Sequence, residues 1–209
     1  GGIVMRDGVE VSSHPVDTPT MREVVRLVRE ATSGPDGIDG GLVMCGKQFA
    51  YVERTDDCFV DGVMPYYCRT KRVDDQIAII DAIEAGQIDD AIVKLAVYVI
   101  GPVEPLAQAT LANFADTHQY AISGANWADL QIRGVDKGSA VRDLQRFLGV
   151  ERAQTAVFGD AGNDLSMMGV ADLSFAMANA SQDVIEAARF VAPSNNEAGV
   201  AQVLRSLLK

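Results

Sequence analysis

The sequence predicts an α/β protein in which a doubly wound, mostly parallel sheet core is interrupted by a separate α+β module. Three observations carry this. From Val135 onward, helix-period and strand-period segments alternate regularly, the pattern of a parallel sheet built from crossover units. Between residues 35 and 130 strands and helices are mixed without that alternation. A run of chain breakers, Ser33-Gly-Pro-Asp-Gly-Ile-Asp-Gly-Gly41, marks the passage between the two patterns. The expected organisation is therefore 1–34 as part of the core, 35–130 as the inserted module and 131–209 as the C-terminal half of the core.

Each element has its own signal. Ile3–Met5 and Val9–Val11 flank Asp7-Gly8 and predict a hairpin. Thr18 before Pro19 predicts a helix start, and Met21, Val24, Val25 and Val28 give helix 19–31 an apolar face. Leu42–Cys45 and Phe49–Val52 predict a strand pair around Gly46-Lys47; Phe59–Met64 fits neither period. Asp74, Asp75, Ile77, Ile80, Ile83 and Gly86 predict a helix with an acidic start and a glycine stop. Strand Ala91–Ile100, helix Leu106–Phe114 and strands Tyr120–Ser123 and Asp129–Arg133 complete the module. Helix 137–148 carries Ala140, Val141, Leu144, Phe147 and Leu148 on one face and ends at Gly149. Strand 155–158, the short helix Leu165–Val170, strand 173–177, helix 181–188, strand 190–192 and helix 197–208 follow.

Composition bounds the function. Hydrophobic residues are 48% and charged residues 22% of 209, ordinary for a folded globular chain. A net charge of −11 repels phosphate backbones, so nucleic-acid binding is not expected, and an anionic substrate needs a local positive device. Cys45, Cys58 and Cys68 are an odd count without metal-type spacing and read as reduced thiols of a cytoplasmic protein. No apolar run reaches membrane-spanning length, and residues 1–12 lack the hydrophobic stretch of a signal peptide. A monomer or homodimer is expected.

The chemistry gathers on Thr155–Met168. A short apolar strand stops at Gly159, and Asp160 and Asp164 follow with Asn163 between them. A strand ending in a turn that opens a helix places polar groups at the carboxyl edge of a sheet, where α/β proteins bind ligands. Two neighbouring carboxylates repel unless a cation lies between them, and Mg²⁺ suits one or two carboxylates plus phosphate oxygens. Taken alone, Asp160 as a turn residue and Asp164 as a helix cap is the simpler reading. Lys137 opens a helix whose dipole it opposes, so a phosphate oxygen or a carboxylate partner would explain it; a solvated surface lysine is its ordinary fate.

The ordered set is more specific than its parts. It comprises Asp136-Lys137-Gly138, Gly159-Asp160 with Asn163-Asp164, Met167-Met168, Ala176-Met-Ala-Asn-Ala180 and Ser194-Asn-Asn-Glu-Ala-Gly199. It resembles the haloacid dehalogenase superfamily of phosphohydrolases, specifically the Cof type. The resemblance is dense over 134–209, and the N-terminal Gly-Gly-Ile-Val hairpin matches more loosely. It implies a Rossmann-like core with 35–130 as an inserted cap domain. It also implies a Mg²⁺-dependent phosphatase acting on small phosphorylated metabolites such as sugar phosphates. On that resemblance Lys137 holds the transferring phosphoryl group and the nucleophile, Asp160 and Asp164 serve the metal, and Asn163 contacts phosphate. Gly159 and Asn179 stand behind them, with Asn179 equally readable as a loop cap. Met167 and Met168 read as core filling.

One departure bears on mechanism. The family's nucleophile motif, an Asp-x-Asp after the first core strand, is missing, as is the Ser/Thr phosphate motif after the second. Asp36-Gly37 and Asp39-Gly40 lie in the breaker loop with no preceding apolar strand and do not qualify. The expectation is that both motifs lie upstream of Gly1, that the core here lacks its first strands, and that the chain alone is inactive. The alternatives are a non-catalytic relative that keeps the Mg²⁺ and phosphate cradle, or a phosphomutase or phosphotransferase of the same superfamily. Arg69, Lys71 and Arg72 form a basic cluster in the module, read as a solvated face or as a contact for an anionic substrate. Trp127, near Asn126 and Asp129, reads as packing at the junction of module and core in preference to a sugar-stacking platform, and His14 and His118 have no ligand partner at useful spacing.

Overall fold

The hairpin forms where the turn chemistry puts it. In the computed structural model, which describes residues 1–208, β1 (Ile3–Arg6) pairs antiparallel with β2 (Val9–Ser13). The turn uses positive φ at Asp7 (51°) and Gly8 (80°), the requirement that selects Asp-Gly. Helix α1 (Thr18–Thr32) starts one residue earlier than predicted, because Asp17 is the cap: its carboxylate accepts a 2.9 Å bond from the Thr20 amide. Such a cap contributes about 1 kcal/mol.

The chain divides into two compact units. One unit comprises Gly1, Ile3–Ser13 and Val135–Lys209; the other comprises Gly2 and His14–Gly134. Helix α1, expected in the core with residues 1–34, belongs to the second unit. Its buried Met21, Val24, Val25 and Val28 join one apolar cluster with Leu42, Leu95 and Val97. The amphipathic stripe told that α1 packs, not which sheet it packs on.

The second unit is built on a six-stranded sheet. Its elements are β3 (Gly40–Gly46), β4 (Ala50–Val52), α2 (Asp57–Val63), β5 (Thr70–Arg72), α3 (Gln76–Glu84), β6 (Ile92–Val99), α4 (Glu104–Ala109), β7 (His118–Gly124) and β8 (Trp127–Ile132). The strand order is β5-β4-β3-β6-β8-β7, antiparallel except for β4 with β5. The period-2 alternation of β6 sends Leu95, Val97 and Val99 to one face and Lys94, Ala96 and Tyr98 to the other. Helices α1, α3 and α4 cover the first face, with Ile80 and Leu106 fully buried there. On the second face, Phe59 and Val63 of α2 pack on Val43, Cys45, Val52 and Ala96.

Two stretches here escaped the sequence reading. Phe59–Met64 is mostly α2, whose cap Asp56 accepts from the Phe59 amide at 3.1 Å. Its Gly62 sits where a Cβ would lie 2.1 Å from the Tyr98 hydroxyl, so glycine lets α2 lie against the sheet. The basic cluster Arg69-Thr70-Lys71-Arg72 contains β5, an exposed edge strand. Arg69 and Lys71 lie over the Phe49 ring, at 4.3 and 5.7 Å from its centroid.

The first unit contains the hairpin and α5 (Lys137–Leu148), β9 (Ala156–Gly159), α6 (Leu165–Met168), β10 (Leu173–Met177), α7 (Gln182–Ala187), β11 (Phe190–Ala192) and α8 (Gly199–Leu207). Helix α5 opens with a reciprocal cap between Asp136 and Ser139 and closes at Gly149, left-handed at φ 65°. Strands β9, β10 and β11 form a parallel sheet in the order β11-β10-β9. On one face Val157, Met168, Ala176 and Val184 are buried, with Val141, Leu165 and Met167 packed against them, as core filling predicts for the two methionines. On the other face Phe158, Phe175 and Phe190 stack in file, with ring centroids 5.0 and 5.2 Å apart. Among the described residues no helix is long and apolar enough to cross a membrane.

Candidate active site

The end of β9 shows why this stretch has its composition. Gly159 is buried, and a Cβ there would lie 2.5 Å from Asp164 Cβ and 2.6 Å from Met168 Cε. Glycine is required because the chain turns through a 3₁₀ turn at Gly162–Asp164 and folds Asp164 back over the strand end. Asp164 is buried and fully engaged. Its Oδ2 accepts from the Asp160 amide at 3.0 Å and the Ala161 amide at 3.3 Å, and its Oδ1 accepts from Lys137 Nζ at 2.5 Å. Burial acts to raise its pKa, but the lysine and the two amides outweigh it and hold the carboxyl below the ordinary value.

Lys137 reaches this carboxylate because of its neighbour. A Cβ on Gly138 would lie 2.3 Å from the Ser166 carbonyl oxygen, so only glycine lets α5 approach α6 this closely. The Gly138 amide donates to Ser166 Oγ at 3.0 Å, which fastens the contact. Lys137 also lies 3.4 Å from Asn163 Oδ1. The lysine that opposes its own helix dipole is thus held by a buried carboxylate, with nearly half of its side chain exposed.

The structure brings Lys137, Asn163 and Asp164 together, and Asp160 stands beside them in a different state. Its carboxylate is exposed and has no side-chain partner among the described residues, whereas its amide holds Asp164 and its carbonyl accepts from Ser181 N at 2.9 Å. Asn179 does not join this group. Its Oδ1 accepts from the Asn195 amide at 3.1 Å, tying the loop after β10 to the segment before α8. That bond explains why the Met-Ala-Asn-Ala and Ser-Asn-Asn-Glu segments occur together. The excluded loop aspartates are elsewhere: Asp39 pairs with Arg54 at 2.6 Å and Asp36 is exposed in the breaker loop.

As a metal site the donor set is partial. Among the described residues no three His, Cys, Asp or Glu side chains converge on one point. Asp160 offers an unengaged carboxylate and Asn163 a nearby carbonyl. Both oxygens of Asp164 already accept hydrogen bonds, and those from the Asp160 and Ala161 amides tie it to the loop that carries Asp160. This fits Mg²⁺, which keeps waters and takes one or two protein carboxylates with phosphate oxygens, and it does not fit a closed Zn²⁺ site.

His118, left without a partner by its spacing, and Trp127, read as packing, both have neighbours that the sequence does not show. His118, buried on β7, has Nε2 3.3 Å from Asp17 Oδ2, a pairing across 101 positions that local spacing cannot show. Trp127 packs within the second unit against Tyr98, Tyr66 and Tyr67, with ring centroids 4.9, 5.3 and 6.1 Å away.

Comparison with known proteins gives the family. The family of haloacid dehalogenase-like hydrolases matches over residues 7–204, and the chain belongs to that family. It is 30% identical to 5-amino-6-(5-phospho-D-ribitylamino)uracil phosphatase YbjI of Escherichia coli K12 over 213 aligned residues. That match covers 100% of this chain and 72% of the relative. It is 50% identical over 72 residues to YxeH of Bacillus subtilis, a match covering 34% of this chain and 27% of YxeH. A crystal structure from Eubacterium rectale superposes with a TM-score of 0.82 at 25% identity, covering 99% of this chain and 74% of that one. The chain is thus a phosphatase-type member of the superfamily, with the Rossmann-like core and cap of the Cof type.

Proposed function

We propose that Lys137, Asn163, Asp160 and Asp164 form the phosphate- and Mg²⁺-holding part of a phosphomonoesterase that acts on small phosphorylated metabolites. The observation that supports this is the contrast between the two carboxylates: Asp164 is saturated by a lysine and two amides, whereas Asp160, four residues away, is unengaged. A buried, fully bonded carboxylate that fixes the loop carrying a free one is an arrangement for positioning charge. Bound Mg²⁺ supplies charge neutralisation for the transferring phosphoryl group. Asp160 holds it, Asp164 keeps the loop rigid, and Lys137, with donors to spare beyond Asp164, binds a phosphate oxygen. Asn163 contributes its amide to the same phosphate.

The nucleophile of this reading is an aspartate on a strand outside the present sequence, and the reaction passes through an aspartyl-phosphate. Strand β9 is hydrogen-bonded on one side only, so its other edge is open to such a strand in parallel register. The substrate class is a sugar or sugar-alcohol phosphate, to which the phosphorylated ribityl chain named for the E. coli relative belongs. The three free cysteines support a reducing, cytoplasmic location. The test is release of inorganic phosphate from an aryl phosphate by the intact enzyme, with and without Mg²⁺. Turnover that is unchanged by chelation removes the metal role, and transfer to a second sugar hydroxyl in place of phosphate release favours a phosphotransferase.

A further inference from the structure

The end of α5 and the turn that follows it border a cleft of about 840 Å³, lined in part by Arg142, Arg146, Val150, Glu151, Arg152 and Asp172. All of it lies within the first unit, as do Lys137 and Asp160. The two places are at opposite ends of the same elements. Lys137 is the first residue of α5, and Gly149, in the cleft wall, caps its other end about 18 Å along the axis. Arg152 and Ala153 precede β9, whereas Asp160 follows it.

The charges here run against the rest of a chain that carries −11. Arg142 and Arg146 are four positions apart on one helix face, where like charges destabilise a helix. The residues three and four positions from Arg142 are Gly138, Ser139, Gln145 and Arg146, none of them acidic. Arg142 is exposed and has no hydrogen bond or ion pair among the described residues. Arg146 engages the buried Asp143 through one amino group, which leaves its other N–H donors to the cleft. The Arg152 side chain has one neighbour of opposite charge, Asp172 Oδ1 at 3.5 Å from its Nε, beyond ordinary hydrogen-bond length. The helix end does not account for these arginines. Its last carbonyls, of Gln145 and Arg146, are taken by the amides of Val150 and Gly149, and Arg142 lies before the last turn, outside the reach of the dipole.

Two carboxylates limit what fits. Asp172 is shared by Arg152 and Arg189, at 3.5 and 3.4 Å, and Glu151 is exposed in the cleft wall. They oppose a small, singly held anion and leave the advantage to one that engages several guanidiniums at once. Linked phosphates do so, because each guanidinium presents a fork that matches the oxygens of one phosphate. The volume is in the range of small-molecule sites. Val150 and Ala153 give an apolar wall to an organic group carried by the phosphates.

We propose that this cleft binds an oligophosphate, two or more linked phosphates, through Arg142, Arg146 and Arg152, at the end of α5 away from Lys137. The inference goes beyond the phosphatase reading and does not rest on it, because it concerns binding and not turnover. A free oligophosphate and a nucleotide present the same chemistry, and the experiment separates them.

The experiment is isothermal titration of the intact protein, in metal-free buffer, with inorganic triphosphate, ATP and orthophosphate. Saturable binding of triphosphate is expected, at least about tenfold tighter than that of orthophosphate. Arg142→Gln and Arg152→Gln, both at exposed side chains, each weaken it about tenfold, and Glu151→Gln strengthens it about twofold by removing an opposing charge. Lys137→Ala, shown to be folded by circular dichroism, leaves it unchanged. ATP bound at least as tightly as triphosphate makes the ligand a nucleotide, and ATP bound less tightly makes it a free oligophosphate; both support the cleft when the arginine variants weaken them. No saturable binding of triphosphate, equal affinity for orthophosphate, native affinity in both arginine variants, or loss of binding in folded Lys137→Ala overturns the proposal. The phosphatase reading is tested by phosphate release with and without Mg²⁺, so the two fail separately.

Discussion

The two units each hold a lysine–aspartate pair, and the pairs differ in almost everything except chemistry. Lys137–Asp164 sits at a strand end, where backbone amides finish the carboxylate and glycines at 138 and 159 clear the space. Lys94–Asp129 sits in mid-sheet among aromatic side chains, with no amide to complete it and an oxygen left without hydrogen-bond alignment. The first pair is saturated and serves as scaffold for a neighbour, Asp160. The second is incompletely satisfied. Backbone amides tie the first carboxylate into its loop, and the second has only its lysine to hold it.

The sharpest way to break this contrast is Asp160→Asn in the intact enzyme. Turnover of an aryl phosphate should fall by about 10²-fold or more while thermal unfolding is unchanged, because Asp160 supports charge and no packing. Lys137→Ala should also cost about 10²-fold in turnover, and it should destabilise the fold by about 1–3 kcal/mol in urea titrations, since Asp164 stays buried without its ammonium. A Lys137→Ala variant of native stability and native rate would show that the two residues merely touch.

Gly138→Ala should destabilise by about 1–3 kcal/mol, because the added methyl meets backbone and the helices must part. Lys137 then loses its reach, so turnover should fall as well. Lys94→Met should cost about 1–2 kcal/mol by leaving Asp129 unpaired on a partly exposed face, read as a lower urea midpoint. The smallest effect is on pH dependence. The folded-state pKa of Asp164 is depressed, so its contribution is fully present above the unfolded value of about 3.9 and is lost as pH falls through the folded value. Urea midpoints between about pH 5 and pH 3 should drop less steeply in Lys137→Met, which removes part of that depression.

The sequence by itself determined the local structure of the first unit and much of its site. Alternating periods marked the strands and helices from α5 onward and Gly149 marked a helix end, because those features are set by neighbours within a few positions; Lys137, Asn163 and Asp164 were singled out by the resemblance of the ordered segments, and the fold brings them together across 26 and 27 positions. It also gave the Asp-Gly hairpin. It did not show that Asp160 and Asp164, identical in type, have opposite states, since that depends on which one the turn folds inward. Nor did it place α1 on the second unit's sheet, show α2 behind an ambiguous apolar run, or find the short strand β5 within a basic cluster. The Lys94–Asp129 pair was beyond its reach altogether. Lys94 and Asp129 are 35 positions apart, and only the pairing of β6 with β8 sets them face to face. Periodicity reports which way a side chain points along its own strand; what it meets there is decided by strand order, and strand order is a property of the folded chain.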